Sequence, residues 1–162
     1  MTDLQTELRH EVIVAVPPQA AFEAFVQLDR IKPREHNLLA VPIAETVVEP
    51  QVGGGIIDRG IDGSECQWGT VLAYDPPHRF RFSWNIGTDW QTTSDPQRVS
   101  EVDVTFTHEG EGTRVTLVHR HLERHGHGWE AVRDGVNATD GWPLYLTRFV
   151  GVAEEDAGVT KG

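Results

Sequence analysis

Cysteine is almost absent from this chain. Cys66 is the only one, so no internal disulfide can form and a reducing compartment is the natural expectation. Long apolar runs are missing too: none approaches the ~18 residues of a membrane span, and the stretch MTDLQTELRH has no basic region leading into an apolar one. Basic residues are scarce, fourteen Lys and Arg against twenty-five Asp and Glu, for a formal charge of −11. Such a balance repels phosphate backbones and anionic lipid. Neither nucleic acid nor membrane is expected as a partner, and the expected location is cytoplasmic.

What is present suffices for one hydrophobic core. A chain of 162 residues buries roughly 70% of its unfolded surface, so residues 1–162 are expected to form a single domain, its core at about 8–152 and an acidic flexible tail at 153–162.

Hydrophobic periodicity and turn chemistry divide that core. ELRHEVIVAV, at 7–16, alternates toward a β-branched end and predicts a strand halted by Pro17 and Pro18. A short amphipathic helix follows, with Phe22, Phe25 and Val26 on one face. After an irregular stretch, DRIKPREHNLLAVP, strands are predicted at 43–49, 56–61, 65–74, 79–85, 99–108 and 113–122. They are separated by PQVGGG, Asp62-Gly63, DPPH, a polar loop around Trp90, and EGEG. Phe80, Phe82 and Trp84 share one strand face; Val115 and Leu117 share another, and a period of two carries His119 and His121 onto it. GWEAVRDGV predicts a short helix. The last helix presents Trp142, Tyr145, Leu146 and Phe149 at i, i+3, i+4 and i+7, with Pro143 in its first turn and Thr139 or Asp140 as cap. The whole predicts an α+β fold: a curved antiparallel sheet of six to seven strands wrapped around a long C-terminal helix.

The densest group of chemistry-bearing residues is HRHLERHGHGW, with four histidines at 119, 121, 125 and 127. Imidazoles in the pattern HxHxxxHxH can bind zinc or copper, but only His119 and His121 share a strand face. His125 and His127 fall between glycines and read as unrelated companions. No metal and no cofactor are expected. His119, in phase with Leu117, is the candidate to enter a cavity as a ligand-orienting or proton-moving group, and His121 would lie near its mouth. Asp58 and Glu65, carboxylates on strands, are expected on the outer, solvated face. Tyr145 is expected to pack, with ligand contact as its second role. Cys66 has no base placed beside it by the sequence and reads as structural. GGG at 53–55 lacks the Lys-Ser/Thr of a phosphate loop.

GTVLAYDPPHRFRFSW, EVDVTFTHEGEGTRVTLVH and DGWPLYLTRFV together resemble the START-like, Bet-v-type helix-grip superfamily known as SRPBCC. Within it the chain is most similar, over roughly 8–152, to the proteins named after the activator of the heat-shock protein 90 ATPase. The resemblance implies a cavity between sheet and final helix that takes an apolar or aromatic ligand, lined by Phe82, Trp84, Phe106, Leu117, His119, Trp142, Tyr145 and Phe149. It leaves three functions open: a binder of a hydrophobic or aromatic small molecule, a polyketide cyclase or dehydratase using His119 as its catalytic acid-base group, and a co-chaperone-like module with a chaperone partner. A homodimer is compatible with each. IKPREHNLL lacks the tryptophan that such proteins often carry after the first helix, and the loop at 86–98 is peculiar to this chain.

Overall fold

The computed structural model describes residues 5–93, 95–156 and 158. Its elements follow the predicted order: β1 (Leu8–Val14), α1 (Pro18–Phe25), β2 (Ile43–Val48), β3 (Gly55–Gly60), β4 (Glu65–Asp75), β5 (Arg79–Trp84), β6 (Ser100–Glu109), β7 (Gly112–Arg120), α2 (Trp129–Val136) and α3 (Trp142–Asp156). All seven strands pair antiparallel in one curled sheet of order β1-β7-β6-β5-β4-β3-β2. The chain thus leaves β1 at one edge and, after α1 and the irregular segment, begins β2 at the other. This is the helix-grip arrangement, with α3 packed against α1 and β1.

Turns do what their residues dictate. Gly63, after Asp62, takes φ +86° and Gly110 takes +59°, the left-handed region where a missing Cβ removes the steric cost. Gly141 is required for space: a Cβ there would stand 2.2 Å from the Val136 carbonyl oxygen. It also corrects the expected cap, because the first α-helical bond of α3 runs from the Tyr145 N–H to the Gly141 carbonyl, one residue beyond Asp140. At its other end α3 continues into the expected tail as far as Asp156, held by the Arg30–Asp156 ion pair at 2.7 Å. The rest of that tail, apart from Gly158, lies outside the described residues.

The interior between sheet and helices has two unlike halves. Phenylalanines fill one: Phe22 and Phe25 of α1, Phe80 of β5, Phe106 of β6 and Phe149 of α3 meet edge-to-face with ring centroids 5.2 to 6.4 Å apart. The other half, toward the start of α3, belongs to tryptophans and is not filled.

Candidate functional site

Period-two geometry builds the site's walls. Phe80, Phe82 and Trp84 all face inward from β5, and the last of them reaches past the phenylalanine cluster. Trp68 on β4 meets Trp84 at 5.3 Å, Trp84 meets Trp142 at 5.4 Å, and Trp142 meets Tyr145 at 5.3 Å, each pair edge-to-face. Beside this series lies a cavity of about 380 Å³. It is completed by Lys32, His36 and Leu38 from the irregular segment, Asp58 from β3, Trp90 from the loop after β5, and the small residues Gly135, Ala138 and Gly141 near α2.

Two polar pairs belong to the wall of this apolar space. Asp58 is buried, not solvated as its sequence context suggests, because a period of two carries it inward behind Ile56. Burial of a carboxylate needs compensation. Here Lys32 Nζ lies 3.1 Å from Asp58 Oδ2, while Oδ1 accepts hydrogen bonds from Thr46 Oγ1 at 2.7 Å and Trp68 Nε1 at 3.2 Å. The Lys32 ammonium also donates to the His36 carbonyl. An ammonium has three N–H groups, so one is left without an oxygen acceptor among the described residues, with the Trp68 ring centroid 6.0 Å from Nζ. Glu65, by contrast, is exposed and paired with Arg59.

The second pair is His36 and Tyr145, joined by a 3.0 Å hydrogen bond between Nδ1 and the phenol oxygen, their rings stacked at 5.8 Å. Both are held uncharged. Burial, then the nearby Lys32 cation, lowers the imidazole's pKa; burial, then the Asp58 carboxylate, raises the phenol's. Asp140 Oδ2 stands 3.8 Å from His36 Nε2. A neutral imidazole bonded to a neutral phenol can pass a proton in either direction. Nearby in the wall, the indole N–H of Trp84 is buried with no hydrogen-bond partner.

His119 lies elsewhere. It faces inward beside Leu117, in phase as expected, but Trp142 stands between it and the cavity, and it is not among the lining residues. The Trp142 indole donates to His119 Nδ1 at 3.1 Å, and His119 Nε2 is 2.7 Å from Ser100 Oγ, which is 2.7 Å from His125 Nε2. The proton assignment that leaves fewest groups unmatched has His119 donating to Ser100 and Ser100 donating to His125. Burial pushes the pKa of His119 down to about 3, the neighbouring His125 adding to the effect, and burial alone pushes His125 down to about 4. His125 is therefore no unrelated companion. The turn at Leu122–His125 brings it back under β6. His121, expected on the His119 face, is instead past the strand's end, in left-handed conformation at φ +62°. Among the described residues no three His, Cys, Asp or Glu side chains gather as a metal site requires.

Of the residues expected to line a cavity, Trp84, Trp142 and Tyr145 do so; Phe82, Phe106, Leu117 and Phe149 are buried outside the lining. Lys32, His36, Asp58, Trp68 and Trp90 were not legible as wall residues. For Asp58 the signal existed, in its phase with Ile56.

Residues 15–154 match the family described as activator of Hsp90 ATPase homolog 1-like protein. Among solved structures, an anthrahydroquino-gamma-pyrone synthase, Txn09, is 36% identical, with 94% of this chain and 99% of that chain covered and a TM-score of 0.64. A self-sacrificing resistance protein, CalC from Micromonospora echinospora, is 26% identical, with 94% and 96% covered and a TM-score of 0.68. The di-domain ARO/CYC protein StfQ, from the steffimycin biosynthetic pathway, is 17% identical at a TM-score of 0.59; this chain spans 52% of its length, and the likeness is one of fold. A search of curated protein sequences gave no match.

Proposed function

Since the chain belongs to the family of activator of Hsp90 ATPase homolog 1-like proteins, we propose that it binds a flat, neutral, carbonyl-bearing aromatic molecule in its tryptophan-walled cavity. One observation carries the reading: an apolar space of about 380 Å³ has the Lys32 ammonium and the hydrogen-bonded His36–Tyr145 pair in its wall. That volume is within the usual range for small-molecule sites, which are mostly apolar with a few orienting polar groups. The spare Lys32 N–H seeks an acceptor, and the Tyr145 hydroxyl can donate to a ligand in the tautomer in which His36 Nδ1–H donates to the phenol oxygen. Burial and Asp58 both disfavour ionising Tyr145, and they act in the same direction on a ligand phenol, so a carbonyl suits this site better than a phenolate. The 36% identical synthase, named for an anthrahydroquino-gamma-pyrone, points to the same ligand class. The test is alizarin, a dihydroxyanthraquinone: saturating dye should raise the melting temperature by mass action and quench tryptophan fluorescence. An unchanged melting curve and unchanged emission at the solubility limit would remove the reading.

A second reading, catalysis, is favoured by the His36–Tyr145 pair. Closing an oxygen-containing ring takes a proton from the attacking hydroxyl and returns one where negative charge develops. An uncharged imidazole and phenol bonded to each other can do both, while the Lys32 N–H polarises the carbonyl. The catalytic role proposed for a histidine then falls on His36, because His119 is sealed behind Trp142. Turnover of a ring-closing substrate should be lost in His36→Ala and retained in Ser100→Ala; the reverse order would reject the assignment.

A further inference from the structure

The loop after β5 is a tight turn with one bulky side chain at its tip. The Gly87 N–H donates to the Gln91 carbonyl at 2.9 Å, the Trp90 N–H to the Gly87 carbonyl at 3.0 Å, and the Thr93 N–H to the Asn85 carbonyl at 3.0 Å, with Ile86 and Thr92 bridged across the base. Trp90 adopts φ +58° there, a conformation that a large L-residue takes only at a cost. Such a cost marks a place where the side chain's position matters. The ring is half exposed, at 50%, yet lines the cavity. Its edge lies over α2 at Gly135, where a Cβ would stand 3.0 Å from Trp90 Cη2.

We infer that Trp90 is a ligand-contacting plate at the cavity mouth, stacking on the aromatic system of the bound ligand, and that Gly135, lacking a Cβ, leaves room for the edge of this ring against α2. The inference rests on the proposed ligand class and adds the residue that selects for it. Half of the indole faces water in the empty protein; a flat aromatic ligand would cover it, whereas an aliphatic ligand offers no face to stack on. Gly135 lies in the last turn of α2, one residue before its end, where alanine is still the better helix former. Its retention costs the helix something and gives Trp90 its seat.

Alizarin titrations of the wild type, Trp90→Ala, Trp90→Phe and Gly135→Ala, each with a thermal melt of the unliganded protein, test this. Trp90→Ala should weaken binding about tenfold through faster dissociation, and Trp90→Phe should stay within about threefold of wild type. Gly135→Ala should weaken binding about threefold while its unliganded melting temperature holds or rises, a divergence that a merely structural role would not produce. Affinity within about twofold of wild type in Trp90→Ala would overturn the inference while leaving the proposed function standing. Absence of binding to the wild type would remove both.

Discussion

Two polar clusters sit on opposite sides of Trp142, and they differ in what they have left over. Behind it, His119 has both ring nitrogens matched, by Trp142 and by Ser100, His125 Nδ1 is buried without a partner among the described residues, and neither histidine lines the tryptophan-walled cavity. In front of it, Lys32 and Asp58 are matched to each other but leave an ammonium hydrogen, and His36 with Tyr145 forms a proton-passing pair against open space. A polar group enclosed by its protein partners serves the fold, whereas one in a cavity wall can also meet a ligand. On this ground His119 is structural and His36 is the histidine proposed for function.

The largest effect should come from Asp58→Ala. It strands a buried ammonium together with the Thr46 hydroxyl and the Trp68 indole, at a cost of about 3–5 kcal/mol in urea unfolding. The double variant Lys32→Met with Asp58→Leu should recover much of that stability while losing alizarin binding, because the paired charges go together but the donor goes too.

Acid should weaken the sealed cluster next. An unfolded imidazole titrates at about 6.5, whereas the folded chain holds His119 near 3 and His125 near 4. Between those values the unfolded state binds more protons, so stability falls as pH drops from about 6.5 toward 4, by up to about 1.4 kcal/mol per pH unit for each imidazole. Asp103 works in a lower window: burial opposes its ionisation, but Arg79 and Arg81 hold it below the usual carboxylate range, so its contribution is lost only in stronger acid. Unfolding free energies measured between about pH 7 and pH 5 should slope downward, and His125→Leu should make the slope shallower, with His119 and His36 keeping the remainder.

Ser100→Ala removes the hydroxyl that links the two imidazoles and should cost about 2 kcal/mol of stability, with alizarin affinity unchanged within about twofold. Tyr145→Phe should do the opposite. Its stability should move by less than about 1 kcal/mol, while affinity falls about fivefold through loss of one hydrogen bond to the ligand.

This separation was only half legible in the sequence. Turn dipeptides and alternation located the strands, and the i, i+3, i+4, i+7 stripe located α3, because local chemistry dictates those features. Phase also brought Trp84, Trp142 and Tyr145 to the right place. It failed for Lys32 and His36, which sit in an irregular segment with no period to orient them. Asp58 was misplaced for a different reason: its period was readable from Ile56, but a carboxylate's ordinary preference for water argued against burial, and the cation that reverses the preference comes from a distant part of the chain. For His125, the left-handed His121 breaks the strand and the following turn folds back to Ser100, a long-range closure that spacing cannot show.

A crystal structure of the protein grown with alizarin tests the central claim most directly. Ring density is expected beside Trp84 and Trp142, with a carbonyl oxygen within hydrogen-bond distance of Lys32 Nζ or the Tyr145 hydroxyl and with the His119–Ser100–His125 group unmoved. Dye bound outside this cavity, while the space between Trp84 and Lys32 stays empty of it, would contradict the account.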